Sequence, residues 1–188
     1  MNKFRILIVD DEEEVRKSYR SILEPVKTSN FDQNASFLFE DLGENFITEL
    51  DDLFEEESEI LLDEDLEPSQ YELIQASQGS EAVEAVSTSL KEEKPFSLVF
   101  LDIRMPPGID GKKTARLIRQ IDPFIEIVIM TAYSDYTFEE IVAEVGNPER
   151  LLFFHKPFTP KQIEQLALTL TQKWDLDRQS RNSQTKNQ

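Results

Sequence analysis

Five short apolar runs alternate with helical patterns along most of this chain, and this alternation restricts the fold more than any other feature. The runs are Phe4–Val9, Tyr71–Ala76, Ser97–Leu101, Ile125–Met130 and Leu151–Phe154. A run that is almost wholly apolar is typical of a strand buried on both faces. Five repeats of strand then helix predict an α/β fold, with a doubly wound, five-stranded parallel sheet and helices on both faces.

Polar residues that suit a phosphate and its metal follow four of these runs. Asp10 and Asp11 follow the first run, Asp102 the third and Thr131 the fourth, and Lys156 stands one residue beyond the fifth. Ligands of open parallel sheets bind beyond the carboxyl ends of the strands. We therefore expect three carboxylates, a hydroxyl and an ammonium to converge at one edge of the sheet.

The charges of this predicted site favour a divalent cation. Asp10, Asp11 and Asp102 are three negative charges against the single positive charge of Lys156, and a phosphoryl group adds more negative charge. Mg²⁺ suits such a site, because it prefers oxygen ligands and combines one or two carboxylates with water and phosphate oxygens. Asp102 stands alone at the end of a central strand and is the better candidate for an aspartyl phosphate. The adjacent Asp10 and Asp11 are better suited to bind the metal.

The acidic charge of the chain is concentrated in one segment. The chain has a formal net charge of −18. Residues 26–70 alone hold 15 Asp and Glu but only one basic residue. Such a charge argues against direct binding of nucleic acid. The chain has no cysteine, which fits a cytoplasmic location, and no apolar run approaches the roughly 20 residues that cross a bilayer.

Two segments depart from the strand–helix rhythm. Residues 26–70 form an acidic insert within a domain predicted to span 1–174, and Asp175–Gln188 is a polar tail that we expect to be disordered. The insert carries an apolar stripe at helical spacing, formed by Phe39, Leu42, Phe46, Leu50 and Leu53. The stripe predicts a partly helical insert. A solvated excursion is the favoured interpretation, and packing of the stripe on the domain or on a partner is the alternative hypothesis.

Four motifs together give the chain a resemblance to a known family. They are ILIVDDE at 6–12, LVFLDIRMPPGIDG at 98–111, IVIMTAY at 127–133 and FFHKPF at 153–158. In this order, each at a strand end, they resemble the receiver domains of two-component response regulators. The resemblance implies a flavodoxin-like sheet of order 2-1-3-4-5.

The resemblance also implies a role for each site residue. Asp102 would be phosphorylated by a phosphohistidine of a histidine kinase or phosphotransfer protein. Asp10, Asp11, Asp102 and the backbone carbonyl of Arg104 would bind Mg²⁺. Thr131 and Lys156 would contact the phosphoryl oxygens, with Lys156–Pro157 as a cis peptide bond. Thr131 and Phe153 would act as the switch residues, and the fourth helix, fifth strand and fifth helix as a surface for partners or a homodimer.

The chain also departs from the family pattern. Met105–Pro106–Pro107–Gly108 has one proline more than is usual, and with the acidic insert it resembles a subgroup found in larger signalling proteins. Arg104 and Tyr133 lie where the family tunes phosphate lifetime. An arginine there would either hold the phosphate or shield it from water.

Two other functions compete with a phosphorylation switch. A phosphorylation-independent interaction module predicts a broken site, yet all five site residues are present. A Mg²⁺-dependent phosphohydrolase needs an acid/base carboxylate two residues after the nucleophile, where this chain has Arg104. We therefore expect no enzyme acting on outside substrates, and chemistry limited to the domain's own phosphorylation and dephosphorylation. The sole histidine, His155, is expected to be an ordinary strand-end residue.

Overall fold

A five-stranded parallel sheet of order β2-β1-β3-β4-β5 confirms the predicted fold. The strands are β1 (Phe4–Val9), β2 (Tyr71–Ala76), β3 (Leu98–Asp102), β4 (Glu126–Thr131) and β5 (Leu151–His155). The computed structural model describes residues 3–24, 70–132 and 136–185. The predicted stripe of the acidic insert and Tyr133 lie outside these ranges.

Among the described residues, five helices alternate with the strands, as the sequence pattern predicts. They are α1 (Glu13–Leu23), α2 (Gly79–Lys91), α3 (Gly111–Ile121), α4 (Phe138–Val145) and α5 (Pro160–Thr185), and a 3₁₀ turn at Pro148–Arg150 precedes β5. Local capping sets two of the starts. The Asp110 side chain accepts a hydrogen bond from the backbone of Lys113 at 2.8 Å, and Thr137 and Glu140 form a capping box at the start of α4.

The two faces of the sheet bury two separate apolar cores. Alternate strand residues such as Leu7, Val99 and Ile127 face α2, α3 and α4. The residues between them, such as Ile8 and Phe100, face α1 and α5. β3 and β4 are buried at every position, because helices cover both sides of the central strands. The sheet therefore has a rigid centre, from which Asp102 and Thr131 extend at the carboxyl edge.

The C-terminal segment is more ordered than its composition predicts. Helix α5 continues through Thr185, so the prediction of disorder over 175–188 is wrong for residues 175–185. Two contacts hold this polar end of α5 against the domain. Arg150 pairs with Asp177, and the guanidinium of Arg181 lies 3.8 Å from the ring centroid of Phe124. A pattern of apolar residues cannot reveal such anchoring, because Asp177 and Arg181, the residues that make these contacts from α5, are charged.

Among residues 3–24, 70–132 and 136–185, no helix is long and apolar enough to cross a membrane.

Candidate functional site

Parallel pairing brings the predicted site residues to one edge of the sheet. Asp10 and Asp11 follow β1, Asp102 ends β3, Thr131 ends β4 and Lys156 follows β5. The last three strands extend one residue further than the sequence predicts, because pairing continues to Asp102 beside Met130 and to Thr131 beside His155.

A shared ammonium joins the two most buried acidic groups of this edge. Lys156 Nζ lies 2.7 Å from Asp10 Oδ2 and 2.7 Å from Asp102 Oδ1. The side chains of Asp10 and Asp102 are only 3% and 10% exposed. Charge-assisted hydrogen bonds of this length are among the strong ones, and burial strengthens them further. The bridge fixes the distance between β1, β3 and β5 at the carboxyl edge.

Backbone amides hold the other oxygen of each carboxylate. Arg104 N donates to Asp102 Oδ2 at 2.7 Å, and Glu12 N donates to Asp10 Oδ1 at 2.9 Å. Both are contacts to the second residue along the chain, the geometry by which aspartate stabilises a turn. Each carboxylate is therefore oriented by its own loop as well as by Lys156.

Burial and the ion pairs act against each other in the titration of the site. Burial raises the pKa of Asp102, because its charged form loses water, while the hydrogen bond from Lys156 opposes this rise. Burial also disfavours the charged form of Lys156, but hydrogen bonds to Asp10 and Asp102 outweigh it and raise the pKa of the ammonium. The two directions are compatible, since one ammonium divided between two buried carboxylates neutralises neither completely.

Close backbone approach completes the loop after Asp102. A Cβ at Gly111 would lie 2.1 Å from the backbone oxygen of Asp102 and 2.7 Å from Ile103 Cα. Gly111 N donates to Ile103 O at 2.9 Å, so the loop returns directly to its own strand. Only glycine fits there without moving the backbone that carries Asp102.

The remaining predicted residues occupy distinct positions. Thr131 is fully buried, and its carbonyl accepts a hydrogen bond from Lys156 N at 2.7 Å. Lys156–Pro157 is a cis peptide bond, as predicted. Phe153 is partly buried against the core on the α2–α4 side, with its ring centroid 5.1 Å from that of the exposed His155. The predicted roles of these residues remain predictions.

The donor set of the site fits Mg²⁺ without forming a complete cage. Within the described ranges, no three Asp, Glu, His or Cys side chains are grouped to hold a metal by themselves. The ammonium of Lys156 lies between the carboxylates of Asp10 and Asp102. The potential metal ligands are these carboxylates and backbone carbonyls, all of which are oxygen atoms. Mg²⁺ accepts such an incomplete set, because it normally keeps several waters and takes oxygens from a phosphoryl group.

Two residues of the site were missed by sequence reasoning. Arg16 Nη1 donates to the backbone carbonyls of Asp10 and Asp11, and Gln78 Nε2 donates to the carbonyl of Pro106 at 3.3 Å. Arg16 stands one helical turn after Glu12, a spacing that places it back over the start of α1, so the signal was present. No sequence pattern predicts the role of Gln78, because its contact with Pro106 joins two loops that are 28 residues apart in the chain.

Comparison with known proteins identifies the family. The response regulator receiver domain family matches residues 55–168, more than half of the chain. The chain is 35% identical over 104 residues to sporulation initiation phosphotransferase F of Bacillus subtilis, a match that covers 55% of this chain and 77% of that protein. It is 34% identical over 110 residues to the alkaline phosphatase synthesis transcriptional regulatory protein PhoP of the same organism, covering 58% of this chain but only 42% of PhoP.

Solved structures agree on the fold. A CheY-like receiver domain protein from Methanospirillum hungatei superposes with a TM-score of 0.57 at 17% identity, covering 93% of this chain and 98% of that one. Residues 4–24 lie outside the range that the family matches, yet β1 pairs with β2 and β3 at the centre of the sheet. The chain belongs to the response regulator receiver domain family, whose members are the phosphoacceptor domains of two-component signalling.

Proposed function

We propose that Asp102 is the residue that accepts the phosphoryl group, from a phosphohistidine donor. The observation that carries this assignment is the buried Asp102 carboxylate, held at 2.7 Å by Lys156 and at 2.7 Å by the amide of Arg104. A carboxylate oxygen attacks phosphorus, an O–P bond forms, and the P–N bond breaks with its electron pair left on the imidazole nitrogen. Asp102 is better placed for this than Asp10, because it stands at the end of the central strand β3.

Lys156 and Thr131 are proposed to serve the transferred group. The ammonium that now bridges Asp10 and Asp102 supplies a positive charge for phosphoryl oxygens. Asp10, Asp11, Asp102 and the carbonyl of Arg104 are the groups that would hold Mg²⁺, which when bound neutralises negative charge at the phosphoryl oxygens. The chain's chemistry is then restricted to its own phosphorylation and dephosphorylation.

The output of this reaction is proposed to be a change in partner binding. Thr131 and Phe153 lie on adjacent strands, Thr131 buried at the strand end and Phe153 only partly buried. A local change in charge at Asp102 can bias two arrangements of such residues. Receiver domains interact with histidine kinases or phosphotransfer proteins, and the surface of α4, β5 and α5 is the proposed site for partners, including a second copy.

The wider setting of the domain also stays a proposal. We infer a cytoplasmic domain that acts by protein contacts, without direct binding of nucleic acid or insertion in a membrane. The family's role and the formal charge of −18 support this inference. Binding to an unrelated DNA duplex at low salt, measured by fluorescence anisotropy, would contradict it.

Intact mass after incubation with Mg²⁺ and a small acyl phosphate tests the acceptor assignment. We expect one added phosphoryl group in the wild type and none in Asp102→Asn. Asp110→Asn is the matched control, since it removes an acidic charge from the same loop while asparagine still caps α3. An adduct of equal yield in Asp102→Asn would show that another residue accepts the group.

A further inference from the structure

We propose that Arg16 is a positioning residue for the acidic pair Asp10–Asp11, and that it sets the affinity of the site for a divalent cation. The proposal rests on the proposed function, because it assigns Arg16 to the same site. Arg16 donates to two backbone carbonyls of the loop and thereby decides where the two acidic residues lie.

The contact geometry is specific to this loop. Arg16 Nη1 lies 2.6 Å from the carbonyl oxygen of Asp10 and 3.1 Å from that of Asp11. One nitrogen therefore spans two consecutive peptide groups. A guanidinium nitrogen carries two N–H groups in a fixed plane, so it can satisfy both oxygens at once.

The loop needs such a donor because its pairing with the sheet ends at Asp10. Asp10 N still donates to the carbonyl of Ala76, at 3.3 Å, and the chain then turns away into α1. Asp10 is 2% exposed, and a carbonyl beside it is costly to leave without a donor. Arg16 supplies the donor from a rigid helix rather than from solvent.

The backbone of Arg16 is held from two sides. Its amide donates to the carbonyl of Glu12 at 3.2 Å within the first turn of α1, and its own carbonyl accepts from Gln75 Nε2 at 3.4 Å. Gln75 belongs to β2, so the contacts link β2, the loop and α1. The backbone of Arg16 is therefore anchored at the start of α1, and the guanidinium reaches the two loop carbonyls from that anchored point.

Charge and positioning make opposite predictions for the metal. If Arg16 acted only through its positive charge, its removal would strengthen the binding of a cation to Asp10 and Asp11. If it acts by holding the carbonyls, its removal loosens the two acidic residues and weakens binding. Groups that orient metal ligands commonly change affinity by about 10- to 100-fold. The sign of the change therefore separates the two roles.

The experiment measures Mg²⁺ affinity by isothermal titration calorimetry, with no phosphoryl donor present. The variants are Arg16→Met, which removes the donor, and Arg16→Lys, which keeps the charge without the planar fork. Arg20→Met is the matched control: it removes the same charge from the same helix, where Arg20 pairs with Glu24 at 3.1 Å. Thermal unfolding of each variant in metal-free buffer reports any general loss of stability.

We expect Mg²⁺ to bind Arg16→Met about 10-fold more weakly than the wild type, with Arg16→Lys between the two and Arg20→Met close to the wild type. Equal or tighter binding by Arg16→Met would overturn the proposal. Equal weakening by Arg20→Met would overturn it too, because loss of a positive charge cannot itself weaken cation binding and the effect would then belong to a general perturbation of α1.

Two further results are informative. If Arg16→Met does not fold, Arg16→Lys carries the test, and wild-type affinity in that variant would refute a role for the fork. If the wild type itself binds no Mg²⁺, the metal part of the proposed function fails and this inference fails with it. A failure of the inference alone is distinguishable, since the wild type then binds Mg²⁺ and Arg16→Met binds it as tightly as the wild type.

Discussion

Opposite edges of the same sheet bury acidic groups in two different ways. At the carboxyl edge, Asp10 and Asp102 share the single ammonium of Lys156. At the amino edge, the single carboxylate of Glu126 receives two cations, Arg150 at 2.6 Å and Lys173 at 2.8 Å. Glu126 is 1% exposed, so both edges carry the cost of buried charge.

The balance of charge separates the two clusters. The amino-edge cluster is neutral, since Glu126 and Asp177 together match Arg150 and Lys173. The carboxyl-edge cluster keeps an excess of negative charge, which Asp11 increases. A balanced cluster around a buried acid stabilises one arrangement, whereas an unbalanced cluster favours a cation or a positively charged partner. The amino edge therefore secures the fold, and the carboxyl edge retains the capacity to bind.

Removing the central acid of the balanced cluster is expected to have the largest effect. Glu126→Ala leaves Arg150 and Lys173 without their buried partner, and we expect a loss of about 4 kcal/mol in the free energy of unfolding. Urea denaturation measures it. Glu144→Ala is the control, because the Glu144 side chain is 34% exposed in its ion pair with Lys112. We expect this variant to lose about 0.5 kcal/mol in the free energy of unfolding. Equal losses in the two variants would contradict the assigned difference.

The backbone of the carboxyl edge should be nearly as sensitive. Gly111→Ala places a Cβ 2.1 Å from the backbone oxygen of Asp102, and we expect about 3 kcal/mol of destabilisation. Gly108→Ala is the matched variant, since its Cβ would meet the tip of the Gln78 side chain, which can move aside. Thermal unfolding should rank Gly111→Ala well below Gly108→Ala, and the reverse order would refute the close approach.

Removal of the Lys156 ammonium should destabilise the domain, and Mg²⁺ should partly restore the lost stability. Lys156→Met leaves Asp10 and Asp102 facing each other, so we expect about 2 kcal/mol of destabilisation in metal-free buffer. Millimolar Mg²⁺ should restore part of this stability, because it supplies positive charge to the same oxygens. Chemical denaturation with and without Mg²⁺ provides the measurement. A metal-free stability equal to that of the wild type would contradict the charge imbalance.

Removing an acid from the unbalanced edge should stabilise the domain. Burial raises the pKa of Asp102, so its charged form carries a net cost in the folded state. We expect Asp102→Asn to raise the free energy of unfolding at pH 7 by about 1 kcal/mol.

The advantage of Asp102→Asn should depend on pH with a defined sign. The folded wild type binds a proton at Asp102 more tightly than the unfolded chain, so its stability falls as pH rises from the ordinary carboxyl pKa through the raised value. The gain in the variant should therefore be small at about pH 3 and largest at neutral pH. A gain that shrinks as pH rises would contradict the raised pKa.

Most of the fold could be predicted because its signals are local. Within the described part of the chain, the five strands and the five helices follow the apolar runs and the helical patterns of the sequence. The ends of β3 and β4 were predicted one residue early, because the polar Asp102 and the β-branched Thr131 still pair with their neighbours. The order at the C-terminus was missed, since it depends on Arg150 and Phe124, which are distant in sequence.

The groups that stand at the strand ends can be predicted from the amino-acid sequence, because the alternation of apolar runs and the position of polar residues are properties of the local chain. The same properties predict the sheet and the presence of Asp10, Asp102 and Lys156 at one edge. Three contacts emerge only in the folded chain: Lys156 meets both acids, Arg16 holds the loop of Asp10, and Glu126 pairs with Lys173 of α5. The physical reason is that charge balance depends on distances of a few ångströms between segments that are far apart in the chain.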